Sequence, residues 1–257
     1  MEPNLILLLS TILVAAFVQR LAGFGFGLVA APIAMTMFTP FEVSFFMAYW
    51  GISNSLPTAI LTRRSIDWGL VNKILWWMIL GVGLGYLGLV FLPEAIFKTL
   101  ALVLCVQAFI SVFWPALATR GIEWSANNRV AGTTAGVLQA TTGVPGPPLI
   151  VFFNSIRVSR EAFVAVFALV FLVVAGVRIL VGLGFVAASP HIEAAAEMLP
   201  DRIPFYLLVG SGVSVVGVVL AQLVERYISL SVFRKIAAFL IAGSALALLV
   251  DLIGRLL

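Results

Sequence analysis

Apolar runs separated by short polar joints dominate the chain. Stretches of the length that crosses a bilayer as a helix, about 20 residues, fall at Val43–Thr62, Ile74–Leu92, Ile96–Trp114, Ala162–Phe185, Phe205–Val224 and Leu230–Leu249. Two further apolar regions, Leu5–Phe38 and Val130–Ile156, are interrupted. The second contains Gln139-Ala-Thr-Thr-Gly-Val-Pro-Gly-Pro-Pro148, with three prolines and two glycines in its last six residues. That composition removes backbone donors and releases helical dihedrals, so a helix from Val130 stops there and another starts at the prolines. The first contains Gln19-Arg-Leu-Ala-Gly-Phe-Gly-Phe-Gly27, and in both regions a glycine follows the glutamine by four residues, at a mutual offset of 120. Broken backbone at membrane depth is tolerated only where protein or a polar cavity surrounds it, and paired breaks in two halves point to a transporter's binding site.

Composition agrees with an integral membrane protein. Of 257 residues, 62% are hydrophobic and 10% charged, with a mean hydropathy of +1.16, against about 25% charged residues in soluble domains. The net charge of +4 comes from basic residues scattered between apolar spans, which argues against a nucleic-acid-binding face. A lone cysteine, Cys105, excludes a disulfide framework, and one histidine, His191, argues against histidine-based catalysis or metal binding. No Walker-type nucleotide motif is present, and nothing calls for a cofactor. The start, Met1-Glu-Pro-Asn4, lacks a basic leader region and is expected to be retained.

Charge placement bears on topology. If both broken regions cross the membrane, giving eight spans (four plus four), Arg63, Arg64, Lys73, Arg120, Arg129, Arg202 and Arg255 oppose Lys98, Arg157, Arg160, Arg226, Arg234 and Lys235. That division orients nothing. If both re-enter, only Lys98, Arg202 and Arg255 lie opposite all the others, a clear positive-inside asymmetry. The expected fold is therefore an all-α polytopic membrane protein of two pseudo-symmetric halves, residues 1–118 and 119–257. Each half is a broken, re-entrant helix hairpin plus three transmembrane helices, with both termini outside and the second half inverted. Gly81-Val-Gly-Leu84 aligns with Gly217-Val-Val-Leu220, and Phe97-Lys98 with Phe233-Arg234, both at offset 136. The change from 120 to 136 assigns an insertion to 186–203, expected as a short helix covering the outer surface.

Candidate chemistry gathers at the breaks. Gly23 and Gly25 in the first, and Gly143 and Gly146 in the second, let helices begin near Gly27 and Pro147 with their N-termini inward, where free N–H groups and the helix dipole suit an anion. Gln19, Gln139, Thr141 and Thr142 add neutral donors, or alternatively cap their own backbone. Arg20 and Arg178 lie within apolar regions, where an arginine is functional by default; Arg20 can instead neutralise a carboxylate, and Arg178 can snorkel if its span is shifted by one turn. Asn54, in Gly51-Ile-Ser-Asn-Ser-Leu-Pro57, is either a ligand group or an interhelical hydrogen-bonding residue. Glu42 and Glu161, at corresponding span starts, form a possible proton relay or complement their helix dipoles.

With Gly23-Phe-Gly-Phe-Gly-Leu-Val-Ala-Ala-Pro32 opening one half and Thr142-Gly-Val-Pro-Gly-Pro-Pro148 the other, the whole chain resembles the TauE/SafE family, also called the sulfonate-uptake-permease family. The resemblance implies a bacterial inner-membrane transporter, commonly an exporter, of sulfite, sulfoacetate or other organosulfonates. Its partners would be a small anionic substrate and the lipid bilayer, with protons or the membrane potential as driving force, no nucleic acid, and a possible homodimer. An anion channel uses the same residues with weaker binding. A membrane-embedded enzyme lacks a nucleophile–base set in the spans, and a scaffold leaves the paired breaks unexplained.

Overall fold

The computed structural model describes residues 4–113, 126–156, 158–188, 203–225, 227 and 230–254. His191 and nearly all of the expected insertion lie outside them. The described elements are helices: α1 (Leu5–Ala22), α2 (Phe26–Met37), α3 (Pro40–Leu61), α4 (Trp68–Phe91), α5 (Glu94–Phe113), α6 (Asn128–Thr141), α7 (Gly146–Ser155), α8 (Arg160–Ala188), α9 (Ile203–Val224) and α10 (Leu230–Gly254). One 3₁₀ turn at Arg63–Ser65 joins α3 to α4.

Polar joints start these helices by satisfying first-turn donors. The side chains of Asn4, Asp67 and Asn127 accept from the N–H groups of Leu7, Leu70 and Arg129. Thr39 and Glu42 form a reciprocal capping box on α3. Both apolar regions break where glycine and proline require it. Gly23 (φ 83°) ends α1 and Gly25 (φ 117°) precedes α2, while Gly143 (φ 72°) and Pro145 separate α6 from α7. The second helices begin at Phe26 and Gly146, each one residue before its expected start.

Five helices among the described residues are long and apolar enough to cross a membrane: Leu5–Ala22, Trp68–Phe91, Glu161–Gly184, Pro204–Val224 and Ala237–Gly254. The chain is thus a multi-pass membrane protein. α3 has the length, at 22 residues, but its apolar run is diluted by Ser53, Asn54, Ser55 and Thr58. At 1.5 Å per residue, α6 (14 residues) and α7 (10 residues) extend about 21 and 15 Å, each short of a 30 Å hydrocarbon layer. α2 packs back on α1 and α7 on α6.

Missing side chains hold the bundle together. A Cβ on Gly81 would lie 2.1 Å from the Thr133 carbonyl oxygen, and one on Gly136 2.2 Å from that of Met78. The α4–α6 crossing is therefore a contact of backbones, built on Gly81-x₃-Gly85 and Gly132-x₃-Gly136, in the manner of small-residue membrane interfaces. The other principal crossing, α1 on α9, places Gly217 2.5 Å by the same measure from the Leu13 carbonyl oxygen, beside Ala16. Gly217 is Gly81 plus 136, and Thr133 and Gly136 are Leu13 and Ala16 plus 120, so the structure repeats both sequence offsets in one pair of contacts. α3 packs on α8 and α5 on α10.

Two large apolar clusters follow, with a small third one of Val18, Leu21, Ala221 and Ala237 beside them. One joins α1, α2, α3 and α9 with α5 and α10; the other joins α4, α6, α7 and α8, and Phe24 packs against both. Inside the first, Pro32 cannot donate to the carbonyl of Leu28 one turn earlier. Ser244 Oγ (3.1 Å) and Cys105 Sγ (3.5 Å) donate to it instead. Lys98, near the start of the expected Ile96–Trp114 span, is 2% exposed and pairs with Glu94 (2.7 Å), in the first turn of α5, and with Asp251 of α10 (3.5 Å).

Candidate functional site

The two breaks meet. A Cβ on Gly27 would stand 1.8 Å from the carbonyl oxygen of Gly143, so the first turn of α2 lies directly on the turn that ends α6. That carbonyl lies in the turn before α7, outside its ladder of hydrogen bonds.

Around this crossing is a small cavity of about 30 Å³, partly open to its surroundings, with Gln19, Gly25 and Gly27 on one side and Gln139, Gly143 and Gly146 on the other. Met47, Gly51 and Ser55 of α3 and Phe171 of α8 complete its wall. The α3 residues stand near the middle of that helix, as Phe171 does in α8, which sets the cavity at the centre of the bundle. None of the lining residues is charged.

Polar groups here lack partners. No hydrogen bond satisfies the backbone N–H of Phe26, Gly27 or Leu28 among the described residues, and Gly25 provides no side-chain cap. The Oε1 of Gln139 and the Oγ of Ser55 are buried without hydrogen-bond partners, and the Gln19 side chain has no partner among the described residues. A buried polar group in that state costs about 1–3 kcal/mol. Rotation about its last torsion lets a glutamine present either its NH₂ or its oxygen to the cavity. Unpartnered amides and an open helix start at this crossing offer hydrogen-bond donors to an acceptor.

Other candidates lie elsewhere. Thr141 and Thr142 donate to the Val137 and Leu138 carbonyls of their own helix, and Thr142 Oγ1 accepts from Val144 N–H, so they cap the break. Gly23 is in the turn, against Phe163, and does not line the cavity. Arg20, one residue from Gln19, turns the other way, to Glu225 (3.1 Å) and Gln222 at the end of α9. Glu42 accepts from the Thr39 N–H (2.8 Å) and hydroxyl (2.9 Å), a capping role. Glu161 is exposed in the first turn of α8. Asn54 is buried with both amide atoms unpartnered but does not reach the cavity wall. Arg178 is buried at the α3–α8 contact, bonded to Ser44.

Sequence reasoning missed Met47, Gly51, Ser55 and Phe171. Ser55 stood beside Asn54 in a patch recognised as polar. At 100° per residue, Met47, Gly51 and Ser55 follow one face of α3 and Asn54 falls only about 20° from Met47, so periodicity alone does not separate Ser55 from its neighbour.

The family described as Sulfite exporter TauE/SafE has a model that matches residues 8–248. The match spans nearly the whole chain, which therefore belongs to this family of membrane transporters and not to an enzyme family. Comparisons with curated proteins and with solved structures found no match.

Proposed function

We propose that this member of the TauE/SafE family is a secondary carrier that moves sulfite or a small organosulfonate such as sulfoacetate out across the bacterial inner membrane. In this reading the anion is bound where the two helix breaks cross. The observation that carries the proposal is the open start of α2, with the Phe26, Gly27 and Leu28 N–H groups unpaired beside two unpartnered glutamine amides. An oxyanion with several acceptor oxygens matches that donor set, and helix N-termini favour negative charge. A neutral wall fits a carrier, which must release what it binds.

The reciprocal contacts of Gly81 with Thr133 and Gly136, and of Gly217 with Leu13 and Ala16, support two halves related by a pseudo-twofold axis. Exchanging α1 to α5 for α6 to α10 turns the α4–α6 crossing into α9–α1 and leaves the α3–α8 and α5–α10 pairs unchanged. The short α6 and α7, and the central position of their turn, support a re-entrant hairpin at the second break, whereas α1 at the first is long enough to cross. Export needs no coupling carboxylate in this scheme, since a negative charge leaving an inside-negative cell gains about 2.3 kcal/mol per 100 mV.

Uptake of labelled sulfite into proteoliposomes preloaded with sulfite, sulfoacetate, sulfate or chloride tests the proposal. Saturable counterflow that is lost in the Gln19→Ala/Gln139→Ala double variant is expected. Flux indifferent to the trans anion would mark a channel, and no movement through folded protein would remove the sulfur-anion assignment.

A further inference from the structure

Among the described residues three cations are buried, and they are treated differently. Arg20 faces Glu225, and Lys98 faces Glu94 and Asp251. Arg178, wholly buried at 0% exposure, has no carboxylate within ion-pair distance among the described residues. Its Nη2 donates to the Ser44 carbonyl oxygen (2.6 Å) and contacts Ser44 Oγ (3.1 Å), while Nε and Nη1 have no hydrogen-bond partner. The Tyr86 hydroxyl stands 3.4 Å from Ser44 Oγ and faces the guanidinium, in space left by Gly182, whose absent Cβ would come within 3.0 Å of it.

An arginine stripped of water without a counter-charge is strongly unfavourable, in a protein interior and more so at membrane depth. The two paired cations show that the fold supplies carboxylates to buried charges elsewhere. At Arg178 it supplies neutral dipoles and leaves two N–H-bearing nitrogens unmet. Ser44 lies one turn before Met47 on α3, and Arg178 two turns after Phe171 on α8, with Met47 and Phe171 both in the cavity wall. The charge therefore stands above the cavity on the same two helices.

We propose that Arg178, with Ser44 and Tyr86, forms a second anion subsite, in which the transported anion is the missing counter-charge after it leaves the crossing of the breaks. The anion-carrier reading above names the ligand class; the subsite itself rests on the unpaired guanidinium. It divides the route into two stations, one of neutral donors and one of fixed charge, about two helical turns apart on α8. Fixed charge at the second station excludes neutral solutes of the same size.

The full chain, purified in detergent, is unfolded thermally in sodium sulfite, sulfate or chloride and in gluconate at equal ionic strength. The wild type is expected to gain stability with at least one of the three small anions. Arg178→Gln should lose most of that gain, with the dissociation constant raised at least about a hundredfold, and should not be less stable than wild type in gluconate. Ser44→Asp, which supplies an internal counter-charge, should be stabler than wild type in gluconate and insensitive to the small anions. Arg178→Lys should respond at higher concentration. The inference is overturned if the wild type responds to none of the three anions, or if Arg178→Gln and Ser44→Asp respond as the wild type does. It is also overturned if Arg178→Gln is destabilised equally in every salt. If Gln19→Ala/Gln139→Ala keeps the full response while Arg178→Gln loses it, the cavity reading fails and the subsite stands; the reverse pattern sinks the subsite alone.

Discussion

At the first break the chain turns through Gly23 and Gly25, both left-handed, and α2 starts at Phe26 with every backbone N–H in place. At the second it turns through Gly143 and starts α7 at Gly146-Pro147-Pro148, so two of the first three residues have no N–H to offer. Gly23 and Gly143 correspond at offset 120, as do Gln19 and Gln139. Matching geometry is thus reached by two kinds of residue. Glycine releases the dihedrals and keeps the donors; proline fixes the dihedrals and removes them. The difference teaches that two corresponding breaks can present unequal donor sets, with free N–H groups on α2 and, at the second break, two prolines and the Gly143 carbonyl on which Gly27 rests.

The largest effect should come from filling that contact. Gly27→Ala drives a methyl into the Gly143 carbonyl oxygen, 1.8 Å away. It should destabilise the protein by about 3 kcal/mol or more and abolish counterflow, read by thermal unfolding in detergent and by proteoliposome uptake. Gly146→Ala, whose Cβ would meet its nearest neighbours at 3.7 and 3.8 Å, should stay within about 0.5 kcal/mol of wild type. Equal tolerance at both positions would mean that the breaks need not touch.

Next come the glutamines. Losing a hydrogen bond to a charged partner costs about 1.5–3 kcal/mol, so Gln19→Ala should raise the half-saturating anion concentration by about tenfold or more. Gln139→Ala should do less, because its partner helix start is poorer in donors. A reversed order would place the anion on the second break.

Much of this architecture was legible before the structure. The breaks, the 120 and 136 offsets and the glutamine pair follow from local rules: glycine and proline punctuate helices wherever they stand. What was not legible depends on neighbours distant in sequence. Arg20 was weighed as a substrate ligand because nothing nearby in the chain neutralises it; Glu225, just past the end of α9, does so. Lys98 was counted only as a charge near the start of its span; its burial there rests on Asp251, at the other end of the chain, as well as on Glu94 one turn before it. Hydropathy reports a cation's own transfer cost and is silent on the carboxylate across the interface. Gly27 was visible as one glycine among several, and only the crossing shows why that position admits no side chain.

The pairing at Arg20 offers a smaller test of the same contrast. Arg20→Gln and Glu225→Gln should each lower stability by about 1 kcal/mol, a modest figure because Glu225 is 31% exposed and water screens the pair. Half-saturation by the anion should move less than about twofold in both. A rise of tenfold in Arg20→Gln alone would bring a charge into the first break's donor set.

The smallest effect is the most direct probe of the donor asymmetry. Pro147→Ala adds one N–H to the first turn of α7 and leaves the second proline to hold the helix start. If donor number is what separates the breaks, the variant should bind the anion more tightly by about 0.3–1 kcal/mol, a two- to fivefold fall in half-saturation. A change in stability without tighter binding would show that the added N–H does not reach the anion. Tighter binding at unchanged stability requires the added donor to face the cavity, as those of α2 do, and makes the proline pair the reason that the second break is the weaker half of the site.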